Sequence, residues 1–253
     1  MTREADSDLT YPGGKVRLYV EAALGGDLRV VPDEAQAHYL LHVMRAKAGE
    51  SLRLFNGRDG EWLATIAEVS KRGATLVCRQ KLAEQSHVPD VWLVFAPIKK
   101  TPADYVVQKA TELGVRRLQP AFTRRTIVTR VNLERMRANA IEAAEQSGRL
   151  DVPAIGEPQS LSALLATWPA ERAIVFCDEA GEAPPIAAAL KDLADGPAAI
   201  FTGPEGGFDP AERDVIRARP NVLAVSLGSR ILRADTAALA ALAVWQSARG
   251  DWG

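Results

Sequence analysis

An α/β fold, with a parallel sheet covered by helices on both faces and a small β-rich module ahead of it, follows from three features of this sequence. From about Val88 onward, apolar runs of strand length alternate with helical patterns, the arrangement that builds a parallel sheet. Up to about Ser70, short runs alternate apolar and polar residues between Asn-Gly and Asp-Gly turn signals, as half-buried strands joined by tight turns do. At the far end, two units of strand, glycine-rich loop and helix follow one another. Ligands of such sheets lie beyond the carboxyl ends of the strands.

In chain order, Arg17 to Val20, Ser51 to Phe55 and Glu61 to Ile66 read as strands, with turns at Asn56-Gly57 and Asp59-Gly60. One helix, from about Asp33 to Met44, interrupts them and ends in Arg45 and Lys47. Val91 to Pro97 is a continuous apolar run. Thr101 to Asp104 reads as a capping box that opens a helix, with Val106, Val107, Ala110 and Leu113 on one face and a stop at Gly114. Further strands are expected at Val115 to Ala121, Ala173 to Asp178, Ala198 to Thr202 and Val222 to Ser226. The connection from Gly148 to Ser160 reads as a loop, and the domain division is expected at residue 75, giving 1–75 and 76–253.

Composition narrows the function. The 253 residues are 47% hydrophobic, enough for real cores. No apolar run approaches the roughly 20 residues that span a bilayer, and the acidic start MTREADSDLT is unlike a signal peptide; a cytoplasmic protein without a membrane partner is expected. Cys78 and Cys177 lie far apart in apolar segments and read as reduced core thiols. His38 and His42 share a helix face, but Tyr39 stands where H-E-x-x-H needs Glu and no third ligand is in sight, so no metal is expected. Net charge is -1, which by itself announces no nucleic acid. Between Pro97 and Arg137, however, ten basic residues face three acids, a clustering suited to phosphate contacts.

The densest signal runs from Ala199 to Glu212: an apolar strand to Thr202, an elbow of Gly203, Pro204, Glu205, Gly206 and Gly207, then Asp209, Pro210 and Glu212 as N-cap, first-turn proline and capping-box acid. The glycines permit close backbone approach to a ligand. Their spacing matches neither the dinucleotide fingerprint nor the P-loop. A second strand runs into Leu227, Gly228, Ser229, Arg230, Ile231, Leu232 and Arg233, and Asp235-Thr236 opens an Ala/Leu-rich helix to about Ser247.

These two motifs, GPEGGF and LGSRILRADTA, in this order resemble the ribosomal RNA uracil-N3 methyltransferases of the trefoil-knotted SPOUT superfamily. The resemblance extends to Asp104 to Val115, to Ile141 to Arg149, and to Glu61-Trp62 in the N-terminal module. Where the family usually has Thr-Glu this chain has Ala234-Asp235, and Ser229 stands where proline is frequent. The resemblance implies a PUA-like N-terminal β-barrel for RNA binding, a knotted C-terminal domain, a homodimer formed through that domain, and S-adenosyl-L-methionine as cofactor.

The implied substrate is N3 of one uracil in small-subunit (16S) ribosomal RNA, free or within the subunit. Cofactor contacts are expected from Thr202, Gly203, Pro204, Glu205, Gly206, Ser226, Leu227, Gly228, Ile231, Leu232 and Thr236. Methylation at N3 generates an anion whose charge spreads to two carbonyl oxygens, so Arg233 and Arg230 are the candidates that stabilise it. Glu205 is the candidate proton acceptor or counter-charge for the sulfonium. RNA contacts are expected from Arg17, His38, Arg45, Lys99, Arg124, Arg125, Gln146 and Arg149. Two rivals remain open: a non-catalytic RNA-binding assembly protein, separated by cofactor binding, and a knotted enzyme acting on ribose 2′-oxygens or transfer RNA, against which the complete GPEGGF and RILR motifs argue.

Overall fold

The structure is a computed structural model that describes residues 16–70, 73–179 and 183–252, with the backbone alone at Lys100. The acidic N-terminal stretch and the Lys100 side chain lie outside the described residues. The chain divides into two compact units, Met1–His87 with Ala144–Asp151, and Val88–Ala143 with Val152–Gly253.

In the first unit, strands β1 (Arg17–Tyr19), β2 (Arg29–Val30), β3 (Ser51–Phe55), β4 (Glu61–Ser70) and β5 (Gly73–Ala83) form one sheet in the order β1-β3-β4-β5-β2. β1 runs parallel to β3 and the other pairs are antiparallel. The alternation read in the sequence is the cause: Leu52, Leu54, Ala64, Ile66, Leu76 and Cys78 turn inward and form one core with Leu18, Val30 and Leu40. Between β3 and β4, Asn56 Oδ1 accepts from the N–H groups of Arg58 and Asp59 at 3.0 and 2.9 Å. Gly60, at φ 82°, lies so close to Ala83 that a Cβ would stand 2.1 Å from its carbonyl oxygen.

Three expectations are corrected here, and the helix expected from Asp33 to Met44 is present with a change of pitch. The division at 75 falls inside β5, which pairs along its length with β4, so the first unit continues to His87. Helix α1 (Glu34–His38), capped by an Asp33–Gln36 box, widens into a π-helical turn at Tyr39–Val43. The segment 148–160 is not one loop: Ala144–Asp151 belongs to the first unit, and two short strands follow it. Arg17 and Arg149, expected at phosphates, have buried side chains. Arg17 is 6% exposed, bonds to Glu61 Oε1 at 2.6 Å and caps the carbonyls of Ala144, Glu145 and Arg149 at 2.8, 3.0 and 2.9 Å. Arg149 is buried against Asp151, Nε to Oδ1 2.8 Å. A guanidinium spent on buried carbonyls has no fork to offer a phosphate.

The second unit is built on β6 (Val91–Phe95), β7 (Arg117–Phe122), β8 (Ala154–Ile155), β9 (Gln159–Ser160), β10 (Ala173–Cys177), β11 (Ala198–Thr202) and β12 (Val222–Val225). Its order is β12-β10-β11-β6-β7-β8, with β9 beside β7, and every pair is parallel. Helices α2 (Lys100–Glu112), α3 (Leu133–Ser147), α4 (Leu161–Ala166), α5 (Ile186–Ala189), α6 (Pro210–Arg217) and α7 (Ala234–Arg249) connect these strands.

Successive residues of β11 show why both faces are covered. Ala198 and Ile200 join the core of Val106, Met136, Ala241 and Leu242, while Ala199 and Phe201 join that of Leu161, Leu164, Phe208 and Ile216. The expected capping box at Thr101 is absent: α2 starts two residues earlier, with Lys99 as its N-cap and no side-chain cap. Asp104 binds Arg135 and Asn139 of α3 instead. Gly114 does end the helix, at φ 77°.

Candidate active-site cleft

The registers place three strand ends side by side. Phe176 of β10 pairs with Phe201 of β11, and Cys177 pairs with Val225 of β12. The chain therefore leaves the sheet at Asp178, Gly203 and Ser226 along one edge. β10 is the middle strand of the three, so the loops after β11 and β12 face each other across its end. They flank a cleft of about 110 Å³, open to solvent, lined by residues 177–179, 202–205, 226–232, Ala234 and Ala237.

The first wall is the glycine elbow. Gly203 packs on Phe208, whose ring would stand 3.0 Å from an added Cβ, and Phe208 stacks edge-on with Phe176 at 5.1 Å. Gly207 donates to the Pro204 carbonyl at 2.9 Å and adopts φ 66°. Asp209 and Glu212 form the expected capping box with Pro210 in the first turn of α6, which fixes the elbow's exit. Asp178, 3% exposed, accepts from Arg213 Nε at 3.0 Å and is also paired with Arg217, tying α6 to the end of β10.

In the second wall, Ser226 is held by backbone bonds to Pro184 and Ile186, and its hydroxyl accepts from the Gly228 N–H at 3.2 Å. Gly228 stands at φ 108°, a conformation that L side chains rarely adopt. Arg230 and Ile231 are exposed, Ile231 at 93%. Arg233 is the N-cap of α7 with an extended backbone and no side-chain cap bond.

Nine of the expected cofactor residues line this cleft, Thr202, Gly203, Pro204, Glu205, Ser226, Leu227, Gly228, Ile231 and Leu232, together with Arg230 from the catalytic set. Gly206, Arg233 and Thr236 lie outside its lining. The Gly206 carbonyl accepts from Arg125 at 2.8 Å, and the Thr236 N–H donates to Asp235. Cys177, Asp178 and Glu179 were not anticipated. Their signal was present as an apolar strand ending in two acids, but the position of that strand between the two motif strands is a matter of sheet order.

The donor set suits an adenosyl sulfonium. Aliphatic Leu227, Ile231 and Leu232 can flank a purine, and the backbone of two glycine turns and the hydroxyls of Thr202 and Ser226 offer directional bonds. Glu179 and Glu205 offer negative charge for a cation. Burial pushes the Cys177 thiol at the cleft floor up to about 12, so it stays neutral. Among the described residues no group of three or more His, Cys, Asp or Glu is placed to hold a metal ion, and no helix is long and apolar enough to cross a membrane.

Of the remaining expected RNA contacts, His38, Arg45, Lys99, Arg124, Arg125 and Gln146 are exposed. The basic cluster of 97–137 is thinner than its count: Lys109 is paired with Glu112 and Arg135 with Asp104. Arg117 stacks on Trp92 at 4.7 Å, and burial lowers its proton affinity.

Comparison with known proteins supplies the context. Residues 84–246 match the RNA methyltransferase domain family and residues 32–77 match the RNA methyltransferase PUA domain family. The chain is 32% identical over 229 residues to ribosomal RNA small subunit methyltransferase E of Rickettsia conorii, covering 90% of this chain and 93% of that one. It is 34% identical over 215 residues to the protein of that name from Synechocystis, covering 83% and 70%. The crystal structure of the Neisseria gonorrhoeae ribosomal RNA small subunit methyltransferase E, bound to S-adenosyl methionine, superposes with a TM-score of 0.85 at 28% identity over 94% of this chain and 99% of that one. A Legionella pneumophila structure in complex with the same cofactor gives 0.84 at 27% identity, over 93% and 98%.

Proposed function

The chain belongs to the RNA methyltransferase family that includes ribosomal RNA small subunit methyltransferase E, and we propose that it methylates N3 of one uracil in 16S ribosomal RNA. The observation that carries this reading is the convergence of both glycine loops and the end of β10 on one cleft, with two carboxylates and a guanidinium at its mouth. S-adenosylmethionine, when bound, supplies an electrophilic methyl group on a sulfonium. The residues that would hold it are Thr202, Gly203, Glu205, Ser226, Leu227, Gly228, Ile231 and Leu232, with Glu179 joining them.

The protein's own task is to align the base and to stabilise the charge that grows on it. N3 of uracil carries a proton, and its loss leaves negative charge shared by the O2 and O4 carbonyls. Arg230 lines the cleft, and Arg233 begins the adjoining helix. Either fixed guanidinium can donate to such an oxygen while keeping its own proton. Glu205 is exposed at the rim, where it can accept the N3 proton through water or face the cation. Preorganised charge of this kind does its work without reorganisation at the moment of reaction.

The base must be unpaired or extruded, because N3 lies on the Watson–Crick edge. Exposed Lys99, Arg124 and Arg125 of the second unit, and His38, Arg45 and Gln146 of the first, are the proposed RNA contacts. The enzyme is read as a cytoplasmic homodimer joined through its second unit, as its family resemblance implies. Incubating the purified protein with methyl-labelled cofactor and, in parallel, deproteinised 16S ribosomal RNA and assembled small subunits, then digesting to nucleosides, tests the assignment. Label in 3-methyluridine is expected; label only in 2′-O-methylated nucleosides, or none in RNA, contradicts it.

A further inference from the structure

The turn after β7 is bonded to the glycine elbow from outside the cleft. Thr123 and Thr126 close it, with the Thr123 N–H donating to Thr126 Oγ1 at 2.9 Å and the Thr126 N–H to the Thr123 carbonyl at 3.1 Å. Within that frame the Arg124 N–H donates to Glu212 Oε1 at 2.9 Å and the Arg124 guanidinium to Asp209 Oδ1 at 3.0 Å, so both members of the α6 capping box are engaged. Arg125 donates to the Gly206 carbonyl at 2.8 Å. That carbonyl belongs to the peptide between Gly206 and Gly207. On one side is Glu205, which lines the cleft, and on the other Gly207, which packs on Glu179.

We propose that Arg125 is a positioning residue with two hands: one N–H fixes the Gly206 carbonyl, and the rest of the fork takes an RNA phosphate, so that RNA docking and cofactor binding strengthen each other. This rests on the functional reading above. Arg125 is exposed, and the Gly206 bond uses one of the five N–H donors of a guanidinium. Holding an exposed, rotamer-rich side chain in one geometry costs entropy. A phosphate that orders the guanidinium removes that cost from the Gly206 bond, and an elbow already set by cofactor holds the guanidinium ready for phosphate. Such coupling must be reciprocal. Lysine has three donors but on a flexible stem and with no planar fork, so a bond to one partner does not orient it for the other.

The test measures S-adenosylmethionine affinity of the full chain by calorimetry, with and without saturating deproteinised 16S ribosomal RNA, for the parent, Arg125→Ala and Arg125→Lys. In the parent, RNA should tighten cofactor binding by roughly fivefold or more, and cofactor should tighten RNA binding by the same factor. In both variants that factor should fall to about one while thermal unfolding shows an intact fold; Arg125→Lys, which keeps the charge, carries the test should Arg125→Ala fail to fold. Unchanged coupling in Arg125→Lys, or no coupling in a parent that binds both ligands, overturns the proposal and leaves the functional reading standing. A parent that binds no cofactor at all overturns both.

Discussion

The Glu179 carboxylate lies against the Cα of Gly207, so close that a Cβ added there would stand 1.5 Å from Glu179 Oε1. The end of β10 and the glycine elbow are thus in contact beside the cleft, and only a residue without a side chain fits between them. Gly207→Ala should displace the Glu179 carboxylate and impose a left-handed backbone on alanine, costing about 1–2 kcal/mol of stability. Cofactor affinity should fall further than that fold loss accounts for. Chemical unfolding and calorimetry on the same variant separate the two, and an alanine that binds cofactor normally removes Glu179 from the site.

Arg230→Ala is expected to lose ~10²-fold or more in turnover with a smaller loss in cofactor affinity, because its proposed partner is charge that develops on the base. Arg233→Ala should show the same split. Equal losses in binding and rate would assign the arginine concerned to the cofactor.

Arg17→Ala should cost about 3–5 kcal/mol, the penalty for breaking a buried ion pair, since it leaves Glu61 with only the longer Arg53 contact at 3.7 Å and removes the donor of three carbonyls. The salt dependence of RNA binding by the folded fraction should not change. A variant as stable as the parent but with a flatter salt slope would restore Arg17 to the phosphate contacts.

Burial pushes the Cys177 thiol from 9.0 to about 12, and the sign of its pH effect follows. The neutral thiol is the folded form, so its contribution to stability is complete below 9.0 and is lost as pH rises toward 12. The thiolate is the reactive species; at pH 8 alkylation of Cys177 should therefore be about 10³-fold slower than for a free thiol and should quicken with pH. Mass spectrometry of iodoacetamide-treated protein reads both cysteines, and rapid labelling of Cys177 at pH 8 contradicts this account.

Local chemistry made the elbow legible in the sequence. Asp209, Pro210 and Glu212 act within one turn of chain, and the structure has their capping box as expected. The alternation of apolar strand-length runs with helical patterns foretold helices on both faces. Sheet order was not legible, because nothing near Cys177 encodes that β10 lies between β11 and β12; Glu179 was missed for that reason. Arg17 was misread because its carbonyl partners stand 127 to 132 residues away, and a strand arginine looks the same whether it faces solvent or caps a helix end. At Thr101 the local signal was outweighed by Asp104 pairing with α3.

A methyl group at N3 removes the hydrogen-bond donor of the pairing edge, whereas a ribose 2′-O-methyl leaves that edge intact. Reverse transcription of small-subunit RNA from cells with and without this protein, at ordinary nucleotide concentration, is the most direct test. One strong stop at a single uridine, present only where the protein is made, is the predicted result. Identical profiles, or a weak stop that appears only at low nucleotide concentration, would contradict methylation at N3.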